Sequence, residues 1–136
     1  MCGEVWFELS GELPFIYQCH CSLCRKVSGS SSNSALIVKV PNFKWCGGEH
    51  KIKSFSTKSG FKSEFCSQCG SPVPNISSDG NSYWVPAGLL SEPVDTKVAA
   101  HVYVGSHASW DNGFINDGLP QFETMPSEQD WLELQG

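Results

Sequence analysis

The segment QCHCSLCRK, residues 18–26, sets Cys19, Cys21 and Cys24 around His20, and EFCSQCGSP, residues 64–72, adds a C-x-x-C pair at Cys66 and Cys69. Cysteines this close together can form disulfides, sit as scattered buried thiols, or hold a metal. The count of seven is odd and the opening residues lack a secretion signal, which argues against a disulfide framework. Cys19, Cys21 and Cys24 are also too near one another to staple distant parts of a chain. Chance rarely gives C-x-C-x-x-C and C-x-x-C in one small domain, so the spacing predicts metal binding. Zinc is the expected ion, because soft thiolates occur here without a haem motif or a four-cysteine ferredoxin run.

The C-x-x-C segment reads as a zinc knuckle. Its two sulfurs can point at one ion, and Gly70 permits the positive φ that closes the turn. Cys2, Cys46 and the trio remain as further ligands. Cys19, Cys21 and Cys24 can fill three corners of a tetrahedron around an ion of their own, which leaves one corner open. Structural zinc sites close with four protein ligands, whereas catalytic ones keep a position for water or substrate. The trio therefore reads as the reactive site.

The elements that must position these thiols are mostly short strands. In EVWFELSG, Val5, Phe7 and Leu9 alternate with Glu4, Trp6 and Glu8, the pattern of a half-buried strand. PFIYQC predicts a second strand leading into the trio, and RKVSGS one helical turn stopped by Gly29. SALIVKV predicts a core strand ending at Pro41, and HKIKSFST with FKSEFC a hairpin around KSG that delivers Cys66. SPVPNIS and AAHVYVG predict further strands, with turn chemistry at SDGNS between them. No apolar stripe is long enough for a substantial helix, so the expected class is all-β with metals at strand ends. From Ser106 the chain is rich in Gly, Pro and Asp, and is expected to lie extended over the sheets, anchored by Trp110, Phe114, Leu119, Phe122 and Trp131.

Composition narrows the partners. The 136 residues predict a single folded domain, 40% apolar and 17% charged, which excludes a disordered or fibrous chain. No stretch approaches the length of a membrane span, and a reducing, cytoplasmic setting is the expectation. Net charge is −5, yet the eight basic residues from Arg25 to Lys62 face one acid, Glu49. That stretch is either a solvated strand face or a patch able to receive a small anion. Nucleic acid is not expected, because the domain is acidic overall and Arg25 is its only arginine.

Together, Cys2-Gly3 before an alternating strand, CHCSLCRKVSGS, FCSQCGSP and HVYVGSHASWDNGFINDGLPQFE resemble the glutathione-dependent formaldehyde-activating enzyme family, which also includes centromere protein V. The likeness runs in order along nearly the whole chain. It implies a β-tent of antiparallel sheets with two zinc sites. By position, Cys19, Cys21 and Cys24 resemble the catalytic zinc ligands, and Cys2, Cys66 and Cys69 resemble structural ligands. The family usually opens with Cys-x-Cys-Gly, whereas Met1 here precedes Cys2-Gly3 directly, so one structural ligand is missing. Cys46 is the obvious substitute, although a free buried thiol is its more ordinary reading.

The chemistry implied is zinc-assisted thiol addition: glutathione or a similar thiol loses its proton and adds to an aldehyde, and the reverse reaction is that of a carbon–sulfur lyase. Within such a site His20 could be an outer-shell donor, a proton relay or an alternative ligand, or simply a surface imidazole. Arg25 and Lys26 could hold a carboxylate of the thiol, or be a solvated pair. His101 reads as a satisfied strand histidine, and Trp84 and Trp110 as core or pocket wall. Two other readings compete: a non-enzymatic zinc module that carries a thiol or binds a protein, and redox sensing by a metal-free Cys21 and Cys24.

Overall fold

The computed structural model describes residues 1–135. Its elements run β1 (Trp6–Leu9), β2 (Ile16–Cys19), α1 (Ser22–Ser28), β3 (Asn33–Lys39), β4 (Phe43–Gly47), β5 (Ile52–Ser56), β6 (Lys62–Cys66), β7 (Asn75–Ile76), β8 (Ser82–Pro86), β9 (Val98–Val102) and α2 (Glu128–Gln135), with single 3-10 turns after β3, β4, β8 and β9. The chain is mainly β with a small helical content. Two compact units form, one from Met1–Leu13 with Ile37–Glu92, the other from Pro14–Leu36 with the chain from Pro93. Among the described residues no helix is long and apolar enough to cross a membrane.

In the first unit, β1 pairs antiparallel with β4, matching Phe7 to Trp45 and Leu9 to Phe43. The expected alternation holds, with Phe7 and Leu9 half-buried and Trp6 and Glu8 turned outward. Phe43 stacks on Tyr83 of β8 at 3.8 Å between ring centroids, and Phe7 and Trp45 pack on Phe43 at 5.4 and 4.9 Å. Each such ring pair adds about 1 kcal/mol to the area it buries. β5 and β6 form the expected hairpin, in register from Ile52 with Cys66 to Ser56 with Lys62. The hairpin delivers Cys66 to the end of a paired strand, where it is buried.

In the second unit, β2 pairs antiparallel with the start of β3 and parallel with β9, so Cys19 lies opposite both Asn33 and Val102. Ile16, Tyr17, Ala35, Leu36, Ala100 and Val102 make its core. Burial of each large aliphatic side chain contributes about 1.5–3 kcal/mol.

Several elements differ from the sequence expectation. β4 and β8 were not expected: FKWCG sits between Pro41 and Gly48, and in SYWVP the apolar run from Tyr83 is closed by Pro86, so neither shows a long alternation. Only Asn75–Ile76 of SPVPNIS is a strand, because Pro72 and Pro74 lack the N–H that a ladder needs. The all-β expectation allowed one helical turn after Cys24 but omitted the C-terminal helix α2. α1 begins at Ser22, inside the cysteine trio, and ends on the left-handed Gly29 as foreseen. The tail is not extended throughout, because Glu128–Gln135 is helical and Trp131 packs on Phe15 and Tyr17. Trp110 is exposed and anchors nothing. The neighbouring Asp111 turns inward while its N–H donates to the Ala108 carbonyl, which directs the indole outward.

Gly48 sets where the N-terminal segment lies. Its φ is +79°, and a Cβ there would collide with the backbone carbonyl of Glu4, two residues beyond Cys2. Gly80 shares the backbone conformation, φ +75°, but has open space around it. Gly48→Ala is therefore expected to destabilise the protein by about 2 kcal/mol or more, against about 1 kcal/mol for Gly80→Ala, measured by chemical denaturation.

Candidate metal centres

Two groups of three cysteines each bring their sulfurs within 4.8 Å of one another: Cys19, Cys21 and Cys24 in the second unit, and Cys2, Cys66 and Cys69 in the first. All seven cysteines are free thiols. In the first unit the Cys2 and Cys66 sulfurs are 3.8 Å apart. That separation is too long for a disulfide, but a tetrahedral ion with metal–sulfur bonds of about 2.3 Å has ligand–ligand edges of about 3.8 Å. Both groups can hold a metal ion.

The trio is built at a strand-to-helix junction. Cys19 ends β2, Cys21 is the N-cap of α1, and Cys24 lies one turn into the helix. A helix N-cap and the third residue after it face the same way, which brings Cys21 and Cys24 together. The Cys24 N–H donates to Cys21 Sγ at 3.3 Å, so the thiol takes the capping role usually filled by Ser or Asp. Cys19 and Cys24 are buried and Cys21 half-exposed, which gives the group one side toward solvent. The Cys19 thiol is lowered to about 6, first by a hydrogen bond from the Cys24 thiol, then by the N–H and thiol of Cys21, against burial. Cys24 is pushed up by the same bond to Cys19 and by burial. Without an ion, one thiolate is stabilised at its neighbours' expense.

The group of Cys2, Cys66 and Cys69 rests on the turn after β6. The Gly70 N–H donates to the Cys66 carbonyl at 2.8 Å and the Cys66 N–H to the Ser71 carbonyl at 2.9 Å, and Gly70 takes the expected positive φ of 76°. Cys69 is lowered to about 6 by N–H groups of Ser71 and Cys2. Cys46 does not join this group. Its thiol faces the Lys44 carbonyl at 3.7 Å instead and is half-exposed, not buried as expected.

His20 is 2% exposed, so it is no surface imidazole. Its Nδ1 meets Asp111 Oδ2 at 3.1 Å, and its Nε2 meets His101 Nδ1 at 2.9 Å. With both ring nitrogens engaged, His20 is not a ligand of the trio. His101 continues the chain, its Nε2 donating to Asp117 Oδ2 at 2.6 Å. Burial, then the neighbouring His101, holds His20 below the ordinary histidine range. Asp117 is held low by the Leu119 N–H and then by His101. Phe114 covers both rings, at centroid distances of 4.3 Å from His20 and 5.0 Å from His101.

Sequence reasoning placed His101 as a satisfied strand histidine and did not single out Asp111 or Asp117. The available signal was weak: two aspartates six residues apart around a buried phenylalanine, in WDNGFIND. Arg25 lies in α1 directly after Cys24. Its Nη2 donates to the Ser106 carbonyl at 3.2 Å, while its Nε is buried without a hydrogen-bond partner. Lys26 is exposed. The six lysines from Lys39 to Lys62 belong to the other unit, where Lys51 pairs with Glu4 and Lys62 with Glu64.

Two groups of three cysteines on a mainly β scaffold define a protein with two candidate metal sites. A family model described as glutathione-dependent formaldehyde-activating enzyme matches residues 1–106, which hold both groups, and the chain belongs to this family. No curated protein matches it. Among solved structures, a Rhodobacter sphaeroides protein determined as a structural-genomics target is 19% identical, with a TM-score of 0.55, covering 72% of this chain and 94% of its own. That likeness concerns the fold alone.

The geometry predicts two independent metal equivalents. Elemental analysis after zinc loading and desalting should find about two ions per chain, and Cys24→Ser and Cys66→Ser should each lower the count by about one.

Proposed function

We propose that the chain is a zinc-dependent carbon–sulfur lyase of the S-(hydroxymethyl)glutathione synthase type, acting on a small thiol such as glutathione and on formaldehyde or a similar aldehyde. In this reading both units belong to one zinc-binding β-tent domain, with Cys66–Cys69 as its zinc knuckle. Cys2, Cys66 and Cys69 hold a structural ion, and Cys19, Cys21 and Cys24 hold the catalytic one. The observation that carries the proposal is the composition of the trio. Three sulfurs converge, and among the described residues no fourth cysteine, histidine or carboxylate joins them. Membership of the family supplies the reaction class.

Zinc at the trio would supply the positive charge that keeps an incoming thiol deprotonated near neutral pH, where a free thiol with a pKa of about 8.5 is mostly protonated. Three thiolate ligands outweigh the charge of a dication, which favours exchange of a thiol over activation of water. The half-exposed Cys21 leaves the approach open. Arg25 binds the thiol's carboxylate. Arg25 is half-exposed, and one arm of its planar guanidinium meets the planar carboxylate. The Ser106 carbonyl fixes the other arm of the fork, and exposed Lys26 adds attraction for the anion. The thiolate sulfur then forms a bond to the aldehyde carbon. The carbonyl π pair moves to oxygen, which takes up the proton that the thiol released.

The test follows S-hydroxymethyl adduct formation from glutathione and formaldehyde against the spontaneous rate. The wild-type protein should exceed that rate and Cys21→Ser should fall to it. Arg25→Ala should raise KM for glutathione about tenfold or more, as loss of a hydrogen bond to a charged group does, with little change for 2-mercaptoethanol, which has no carboxylate. Zinc-loaded wild-type protein that never exceeds the spontaneous rate would sink the lyase and leave a thiol-binding zinc module.

A further inference from the structure

The hydrogen-bonded chain Asp111–His20–His101–Asp117 takes no part in the proposed ligand set, and its two carboxylates lie beyond the residues that the family model matches. We propose that Asp117 is a positioning residue: acting through His101, it orients His20 and thereby sets the relative placement of the Cys19 and Cys21 sulfurs. The inference rests on the trio being a metal centre, as proposed above.

His20 is the residue between two ligands, so a shift of its Cα moves the peptide planes on both sides. Its N–H donates to the Val102 carbonyl at 3.0 Å, which ties its backbone to β9. Its ring is gripped at both nitrogens and is buried beneath Phe114. The two grips are unequal. Asp111 holds one side at 3.1 Å. The other side runs through His101, which sits in β9 with its own N–H donating to the Pro120 carbonyl and its carbonyl accepting from the Phe122 N–H, both at 2.9 Å. Asp117 closes that side with the 2.6 Å bond, while its second oxygen accepts the Leu119 N–H at 2.9 Å. The carboxylate is thus fixed before it fixes the ring.

A tetrahedral site tolerates misplacement of its ligands by only about 0.5 Å, so a strut that ends between two of them bears directly on metal retention. Asp117 is also the accessible end of the strut, its side chain 32% exposed against 1% for His101. It can be replaced without opening the core.

The experiment competes zinc-loaded full-length protein with a chromophoric chelator, the two zinc phases being assigned with Cys24→Ser and Cys66→Ser. Asp117→Ala should weaken retention at the trio by about 10–100-fold, the range seen when outer-shell partners are removed, and leave the Cys2–Cys66–Cys69 ion unchanged. Asp117→Asn keeps an oxygen acceptor for the His101 N–H and should recover most of the loss. In the cobalt-substituted protein, the visible bands of the trio should shift in Asp117→Ala and return in Asp117→Asn. A merely structural role would weaken both centres together and would not be rescued by Asn, and that outcome overturns the proposal. Wild-type retention and unchanged cobalt bands in Asp117→Ala overturn it equally. Failure of the wild-type trio to retain zinc at all would instead strike the reading on which the inference rests.

Discussion

Three sulfurs held within 4.8 Å of one another cannot all ionise without a counter-charge. In the trio the conflict is visible in the opposite displacement of its members, with Cys19 lowered to about 6 and Cys24 pushed up by the same hydrogen bond. A divalent ion removes the conflict, because every sulfur then faces a cation instead of another thiolate. The rest of the structure can be understood as what it takes to keep the sulfurs that close while leaving one approach free.

Closeness comes from local geometry. β2 ends where α1 begins, and the single residue between Cys19 and Cys21 is a histidine buried under Phe114. The parallel pairing of β2 with β9 brings His101 beside it, and the loop from Asp111 to Asp117 closes both ends of the histidine pair. The second group is held differently. It uses a turn after a hairpin strand, with Gly70 permitting the bend and Gly48 permitting the N-terminal segment to pass near it. One centre is thus braced through side chains and the other through backbone turns.

The Cys19–Cys21–Cys24 trio and the Cys66–Cys69 pair were legible in the sequence because C-x-C-x-x-C and C-x-x-C are local patterns, and local spacing survives folding. β1 and the β5–β6 hairpin were legible for the same reason, through alternation and a Gly60 turn. The pairing of Cys2 with the later C-x-x-C became an expectation only through family likeness, since 64 residues separate it from Cys66. β4 and β8 escaped because their partners, not their patterns, define them. The histidine chain escaped most completely: His20, His101, Asp111 and Asp117 span 97 positions, and only the strand register and the tail bring them together. The reading of Trp110 as an anchor failed because the polar neighbour Asp111, not the indole, is the group that finds a buried partner.

The central claim is that the trio offers an ion one position for a substrate thiol. Zinc X-ray absorption on Cys66→Ser protein, which isolates that centre, tests it without reference to turnover. The sulfur shell should hold three cysteine sulfurs and one lighter atom in the absence of thiol, and four sulfurs after glutathione is added. A shell that keeps its lighter atom in saturating glutathione, or that already holds four sulfurs without it, would contradict the account.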